Sequence, residues 1–316
     1  MRYLLAIVML ACAPHVVAQD FPSKPIRLVT PFAAGSQIDT ATRILADKMR
    51  PSFSQPIIVE NKPGASGVIA VRQVMTSPPD GHTILIGSSG THALNPHLIR
   101  QLPYDAVRDF MPVTTIATTD FVVMVNPASK IDTLAELTRR AKQNPGKLTF
   151  GWGNPPGRVL AEHYNQLAGI QTTNVPYKSV TAALTDLMGG QIDYVVADTF
   201  TGSTQARDGR LVALTVTAGQ RVPILPNVPT MAEAGVPGFD MTAWFAAFMP
   251  AGTPRPIAER MGASISEALK ADDVMAAYQR VGLVAFPGTP DSLAKFVAGQ
   301  LDSWGRVIKK AGIQPE

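Results

Sequence analysis

The chain has 316 residues, 46% of them hydrophobic and 16% charged, with a formal net charge of +4. That balance excludes a disordered chain, and the length allows two domains around large cores. No basic run exceeds the pairs Arg139-Arg140 and Lys309-Lys310, so no nucleic-acid footprint is present.

Residues 1–18 read as a secretory signal peptide. Met1-Arg2 supplies a positive start, residues 4–13 form a short apolar run, and Val16-Val17-Ala18 ends on a small residue. Cys12, the only cysteine, falls inside this leader behind Met9-Leu10-Ala11, a poor lipidation signal, so the mature chain has no disulfide or thiol chemistry. Next comes a strand at residues 26–30, then Ile38, Ala41, Leu45 and Met49 at helical spacing, and further strands at 57–59 and 83–86 around a helix at 68–75. This βαβαβ rhythm implies a mostly parallel sheet with helices on its faces.

A strand at 121–125 opens a second unit of the same kind. Its helix at 133–143 starts on the capping box Thr133/Glu136 and stops at Asn144-Pro145-Gly146. Strands at 148–150, 192–196 and 211–217 alternate with helices at 159–167 and 181–188. The Pro- and Gly-rich stretch 223–240 reads as surface chain. Two helical stripes end the sequence: Ile257, Met261, Ile265 and Leu269, then Leu293 to Ile308 behind Thr289 and Pro290. These stripes read as packing faces rather than a cofactor site.

Three junctions share one design of strand, small-residue turn and helix start. The first holds Phe32, Ala34, Gly35, Ser36 and Asp39, the second Ser88, Ser89, Gly90 and Thr91, and the third Asn154, Pro155, Pro156, Gly157 and Arg158. A fourth, with Tyr177 and Ser179, is less rich in glycine, and Asp198 follows the strand 192–196. A helix N-terminus presents unpaired N–H groups and a partial positive charge, so it can hold a carboxylate without a charged side chain. On that reading a side chain at Gly35 blocks the ligand's approach. Each junction can equally be an ordinary capped turn.

No dinucleotide loop or Gly-Lys-Ser/Thr triplet occurs. Gly87-Ser88-Ser89-Gly90 has Thr91 where a nucleophile elbow needs its closing glycine. His92 and His97 are poorly spaced for zinc. No metal and no cofactor are expected.

The same segments carry a resemblance. Phe21-Pro22-Ser23-Lys24-Pro25, Pro31-Phe32-Ala33-Ala34-Gly35-Ser36 with Asp39, Glu60-Asn61-Lys62-Pro63-Gly64, Pro79-Asp80-Gly81-His82-Thr83, Leu102-Pro103-Tyr104-Asp105, Val175-Pro176-Tyr177-Lys178 and Leu225-Pro226-Asn227-Val228-Pro229-Thr230 occur in order along the mature chain. The chain resembles the Bug-type substrate-binding proteins of tripartite tricarboxylate transporters. The resemblance implies an α/β type II periplasmic-binding-protein fold of two lobes with a ligand cleft between them. Lobe 1 would comprise residues 19–120 and 250–316, and lobe 2 residues 121–249. It also implies that the first two loops hold one ligand carboxylate while the second lobe closes over the other end. The sequence departs from the family at Gly35-Ser36 for Gly-Gly, at Pro155-Pro156-Gly157-Arg158 for a longer loop of small and hydroxyl residues with a His, and at Ser179 for Gly.

The expected function is therefore that of a periplasmic, non-enzymatic receptor. It captures a small carboxylate (a di- or tricarboxylate, an aromatic acid or an acidic amino acid) for the integral-membrane subunits of a transporter. It acts as a monomer, with no nucleic-acid partner. The competing readings are a sensor subunit on a signalling receptor and a hydrolase using Ser89 or His92, for which no base and orienting partner are visible. Arg158 is expected to meet a second ligand anion or else to pair with Glu162 one turn on. Asp198 is expected to bond a ligand hydroxyl or amine, or else to cap a helix.

Overall fold

The computed structural model describes residues 21–239 and 241–316. The expected signal peptide and Cys12 lie outside them.

The first half builds as expected. Strands β1 (Ile26–Thr30), β2 (Ile57–Asn61) and β3 (Thr83–Ser88) run parallel, joined by α1 (Gln37–Met49) and α2 (Val68–Met75). A π-helical turn at Gly90–Leu94 leads into the short α3 (Asn95–Leu98). Strand β4 (Phe110–Thr119) then passes through the single residue Asp120 into β5 (Phe121–Val125). That step takes the chain from one sheet to the other.

The second sheet is built from α4 (Leu134–Gln143), β6 (Thr149–Trp152), α5 (Pro155–Ala168), β7 (Thr173–Pro176), α6 (Val180–Met188), β8 (Tyr194–Asp198), α7 (Thr199–Arg207) and β9 (Val212–Val216). The chain returns through β10 (Ala243–Pro250), α8 (Arg255–Leu269), α9 (Asp272–Arg280), β11 (Leu283–Ala285) and α10 (Pro290–Lys310). The two sheets have the orders β11-β4-β10-β3-β1-β2 and β7-β6-β8-β5-β9. Among the described residues no helix is long and apolar enough to cross a membrane.

Two features differ from the sequence reading. Residues 243–249, assigned to the second lobe, form β10 of the first sheet, antiparallel to both β3 and β4. All eight residues of β10 are buried, as befits a central strand covered on both faces. Strand β4 itself went unread because Pro112 interrupts it. The proline stands opposite Phe248 where the register slips, a position in which a missing N–H costs no ladder bond.

Strand alternation sorts side chains into three cores. In β5, Phe121, Val123 and Val125 face one core, while Val122 and Met124 face another under α6. The first of these cores crosses between the sheets, joining β5, Phe150 and Tyr164 to Trp244, Trp304 and the buried stripe of α10. Gln300 ties this junction together, its side-chain oxygen accepting from the indole N–H of both Trp244 (3.0 Å) and Trp304 (3.1 Å). Both tryptophans are buried. Gln300→Leu strands two buried donors and should cost at least about 2 kcal/mol, read as a lower denaturant midpoint at unchanged m-value. A midpoint at the wild-type value would show that the indoles find other acceptors.

Candidate functional site

The first junction spends much of its polarity on itself. Asp39 is buried in the first turn of α1. Its carboxylate accepts from Gly35 N (2.8 Å), Asn61 Nδ2 (2.8 Å) and Arg43 Nε (3.1 Å). Burial pushes this carboxyl up, but the bonds from Arg43, Gly35 and Asn61 outweigh it and hold it below the ordinary range. Asp39 is thus the brace of the loop, and Ser36 caps α1 by accepting from Asp39 N. Gly35 has φ +77°, and a Cβ there would point into open space. A valine at position 35 would therefore strain the backbone before it blocked anything. The donors left over are the N–H groups of Gln37 and Ile38 in the first turn of α1. Ala34 is exposed, and Phe32 packs edge-on against Phe245 at 5.9 Å.

At the second junction Ser88 and Thr91 lock each other. Ser88 N donates to Thr91 Oγ1 (2.9 Å), which donates to Ser88 O (3.1 Å) and also meets His92 Nδ1 (2.8 Å). His92 is fully buried and stacked flat on Phe248 at 3.8 Å, and burial lowers its pKa to about 3. The Ser89 hydroxyl, also fully buried, has no partner. Nδ1 of the imidazole is held by Thr91, and neither its Nε2 nor the Ser89 hydroxyl has a partner, so the serine and histidine named for a hydrolase do not form a pair.

In the second lobe the singled-out side chains are caps. Asn154 Oδ1 accepts from Gly157 N (2.8 Å), Ser179 Oγ from Ala182 N (3.2 Å), and Asp198 Oδ1 from Thr201 N and Oγ1 (both 2.9 Å). Burial pushes the Asp198 carboxyl up, opposed by the Thr201 bonds. Tyr177 donates to Asp186 Oδ2 at 2.8 Å, and burial, with Asp186 adding to it, pushes the phenol up to about 12. Gly153 lies so close to Ser179 that a Cβ would overlap its backbone, which fixes the third and fourth loops against each other.

Arg158 does not pair with Glu162 one turn on. Its guanidinium pairs across the lobes with Glu316 (Nη2–Oε1 2.6 Å) and lies 5.3 Å from the Trp152 ring centre. Glu162 instead accepts from Asn165 (3.2 Å). Glu316 is itself seated by two backbone bonds, from its N to Leu98 O (2.9 Å) and from Arg100 N to its O (2.8 Å).

These elements converge. A Cβ on Gly90 would stand 3.6 Å from both Pro155 and Pro156, and one on Gly282 would stand 2.7 Å from Thr199 Oγ1. The lobes therefore meet on two flanks. The ends of β1, β3 and β8 bring three buried hydroxyls without partners, Thr30, Ser89 and Thr199. Thr30 and Thr199 were missed in the sequence, where the only sign was a hydroxyl residue next to a strand's C-terminal end. A surface concavity of about 590 Å³ lies elsewhere, between α8 and the start of α10. Its Arg255 is already neutralised by Glu259 and Asp291.

The family described as the tripartite tricarboxylate transporter family receptor matches residues 41–313. The chain belongs to this family. A protein from the tcbD–tcbE intergenic region of Pseudomonas sp. strain P51 is 36% identical over 295 residues, 91% of this chain and 86% of its own length. R. palustris Rpa4515 with adipate is 31% identical, with a TM-score of 0.90 over 94% of this chain and 100% of its own. MatC from Rhodopseudomonas palustris with bound malate is 31% identical, with a TM-score of 0.85 over 91% and 100%. The two sheets are thus the lobes of a type II periplasmic-binding-protein fold, and this receptor-family member is a solute-binding protein, not an enzyme.

The buried imidazole gives the receptor a pH signature. His92 is neutral when folded down to about pH 3, whereas the unfolded chain binds its proton near pH 6.5. Stability is therefore full above about pH 6.5 and falls on acidification, by at most about 1.4 kcal/mol per pH unit for this group. Burial lowers His163 in the same direction, with Lys310 adding to it. Urea unfolding between pH 7.5 and 5 should show this slope, and His92→Phe, which keeps the stack on Phe248, should flatten it. An unchanged slope in the variant would assign the proton uptake to other groups.

Proposed function

We propose that this receptor is a secreted periplasmic protein that captures a small carboxylate in the cleft between its sheets and presents it to the integral-membrane subunits of a tripartite tricarboxylate-type transporter. The lobes are residues 21–120 with 243–316, and residues 121–242. The ligand's carboxylate sits against the first turn of α1 and the Ser89 hydroxyl. The observation that carries this reading is Ser89 itself. A fully buried hydroxyl without a partner, one residue from the contact of Gly90 with Pro155 and Pro156, calls for an acceptor that the free chain does not supply. Relatives solved with adipate and with malate support a carboxylate in that role. A helix terminus adds about 0.3–1 kcal/mol for an exposed anion and up to about 2 in partly buried geometry. Ligand between the lobes favours their closed arrangement.

A thermal-shift panel of small carboxylic acids tests the proposal. A ligand at a hundred times its Kd adds about 2.7 kcal/mol to stability. Ser89→Ala should weaken the best acid by about 1.5–3 kcal/mol, roughly ten- to a hundredfold in Kd. The unliganded variant should melt no lower than the parent, because nothing in the free protein bonds that hydroxyl. A panel without a hit, or a Ser89→Ala variant with parental affinity, would overturn the proposed site.

A further inference from the structure

We infer that Gln37 is a positioning residue that ties the turn of α1 receiving the carboxylate to the place where the chain crosses between the lobes, so that ligand binding and the lobe contact share one side chain. The inference rests on the carboxylate-receptor reading and deepens it at the same site.

Gln37 opens α1, and its backbone N–H is one of the donors left over in that first turn. Its side chain is buried and used at both ends. Nε2 donates to Val281 O (2.8 Å) and, at 3.4 Å, to Gly282 O. Oε1 accepts from Thr119 Oγ1 (2.9 Å). The two carbonyls can only accept, so they fix which way the amide points, and the Thr119 hydroxyl has to donate. The position calls for a donor and an acceptor on one side chain, which neither Met nor an ionised Glu provides.

Both partners belong to the junction of the lobes. Thr119 is the last residue of β4 before the step through Asp120. It stands opposite Ala243, the first residue of β10, on one side and Leu283 of β11 on the other. The outgoing and returning crossings of the chain therefore lie side by side at Thr119. Just past the step, Thr199 N of the second lobe donates to Asp120 O (3.0 Å). Val281 and Gly282 form the turn between α9 and β11. A Cβ on Gly282 would stand 2.7 Å from Thr199 Oγ1 and 3.6 Å from both Ile224 and Gln37 Nε2. Gly282 is thus packed between Gln37 of its own lobe and Thr199 and Ile224 of the other.

A ligand shifts an equilibrium between arrangements only through contacts that differ between them. Gln37 provides such a contact. Its backbone meets the carboxylate, and its side chain holds the turn that touches the second lobe.

The test is hydrogen–deuterium exchange of the whole protein, with and without one acid. That acid is the one giving the largest melting shift among the straight-chain C4–C8 dicarboxylates and their monomethyl esters. In the parent, saturating acid should slow exchange at residues 35–40, 117–122 and 281–284. In Gln37→Met, protection at 35–40 should remain, protection at the other two segments should be lost, and affinity should fall about tenfold. Thr119→Val, which removes the partner without touching the binding turn, should lose the same two segments. Thr119→Ser, which keeps the hydroxyl, should retain them. Melting curves identify the folded variants, and the Thr119 pair decides the matter if Gln37→Met does not fold. Protection confined to 35–40 in the parent, or parental protection of all three segments in Gln37→Met or Thr119→Val, overturns the inference and leaves the carboxylate-receptor reading standing. A panel in which no acid shifts the melt overturns both.

Discussion

Four helices start at the cleft, and each closes its first turn with a side chain that accepts from a backbone N–H three residues on: Ser36 for α1, Asn154 for α5, Ser179 for α6 and Asp198 for α7. A helix start is attractive to an anion because its N–H groups are unpaired, and every cap reduces that attraction. The binding chemistry of the protein depends on how far each cap goes. In α1 the cap takes Asp39 N and leaves the first two positions open. In α5 the cap and two prolines together leave nothing in the first turn. The four helix starts therefore differ in how much of that attraction they keep, and α5 keeps the least.

The second constraint is how the lobes are joined. They share the step through Asp120, a continuous apolar core with Trp244 and Trp304 at its centre, and the ion pair of Arg158 with Glu316. A core shared between lobes limits motion to arrangements that keep it packed, because a void opened there forfeits contacts that water does not replace. The flank at Gly90 is small and smooth and can part cheaply. The Arg158–Glu316 pair cannot do so without leaving a buried guanidinium alone. The contact between the lobes is thus held from one side.

Much of the architecture was legible in the chain. The period of the apolar residues marked α1, α2, α8 and α10, and the runs at 26–30 and 121–125 marked strands, because burial on one face or both leaves a local signature. Strand β4 was hidden by Pro112, whose tolerance depends on a register slip against Phe248 that no local window contains. Strand β10 was assigned to the second lobe, since an antiparallel strand inserted between β3 and β4 is a pairing over more than a hundred residues that no local window contains.

The same division runs through the site. The sequence by itself determined the family, the junctions and the residue types at them, because turns, caps and helix starts are settled within three or four positions. It also placed Arg158 at a helix start, where a cation needs compensation. Only the tertiary structure decided what each of these groups does. Ser36, Asn154, Ser179 and Asp198 were equally good caps or ligand contacts on paper, and the folded chain uses all four as caps. Glu316 had no local signal at all. Its role comes from backbone bonds to Leu98 and Arg100 that set a carboxylate beside a guanidinium from the other lobe. Electrostatic pairing depends on distance in space, and spacing along the chain does not contain that distance.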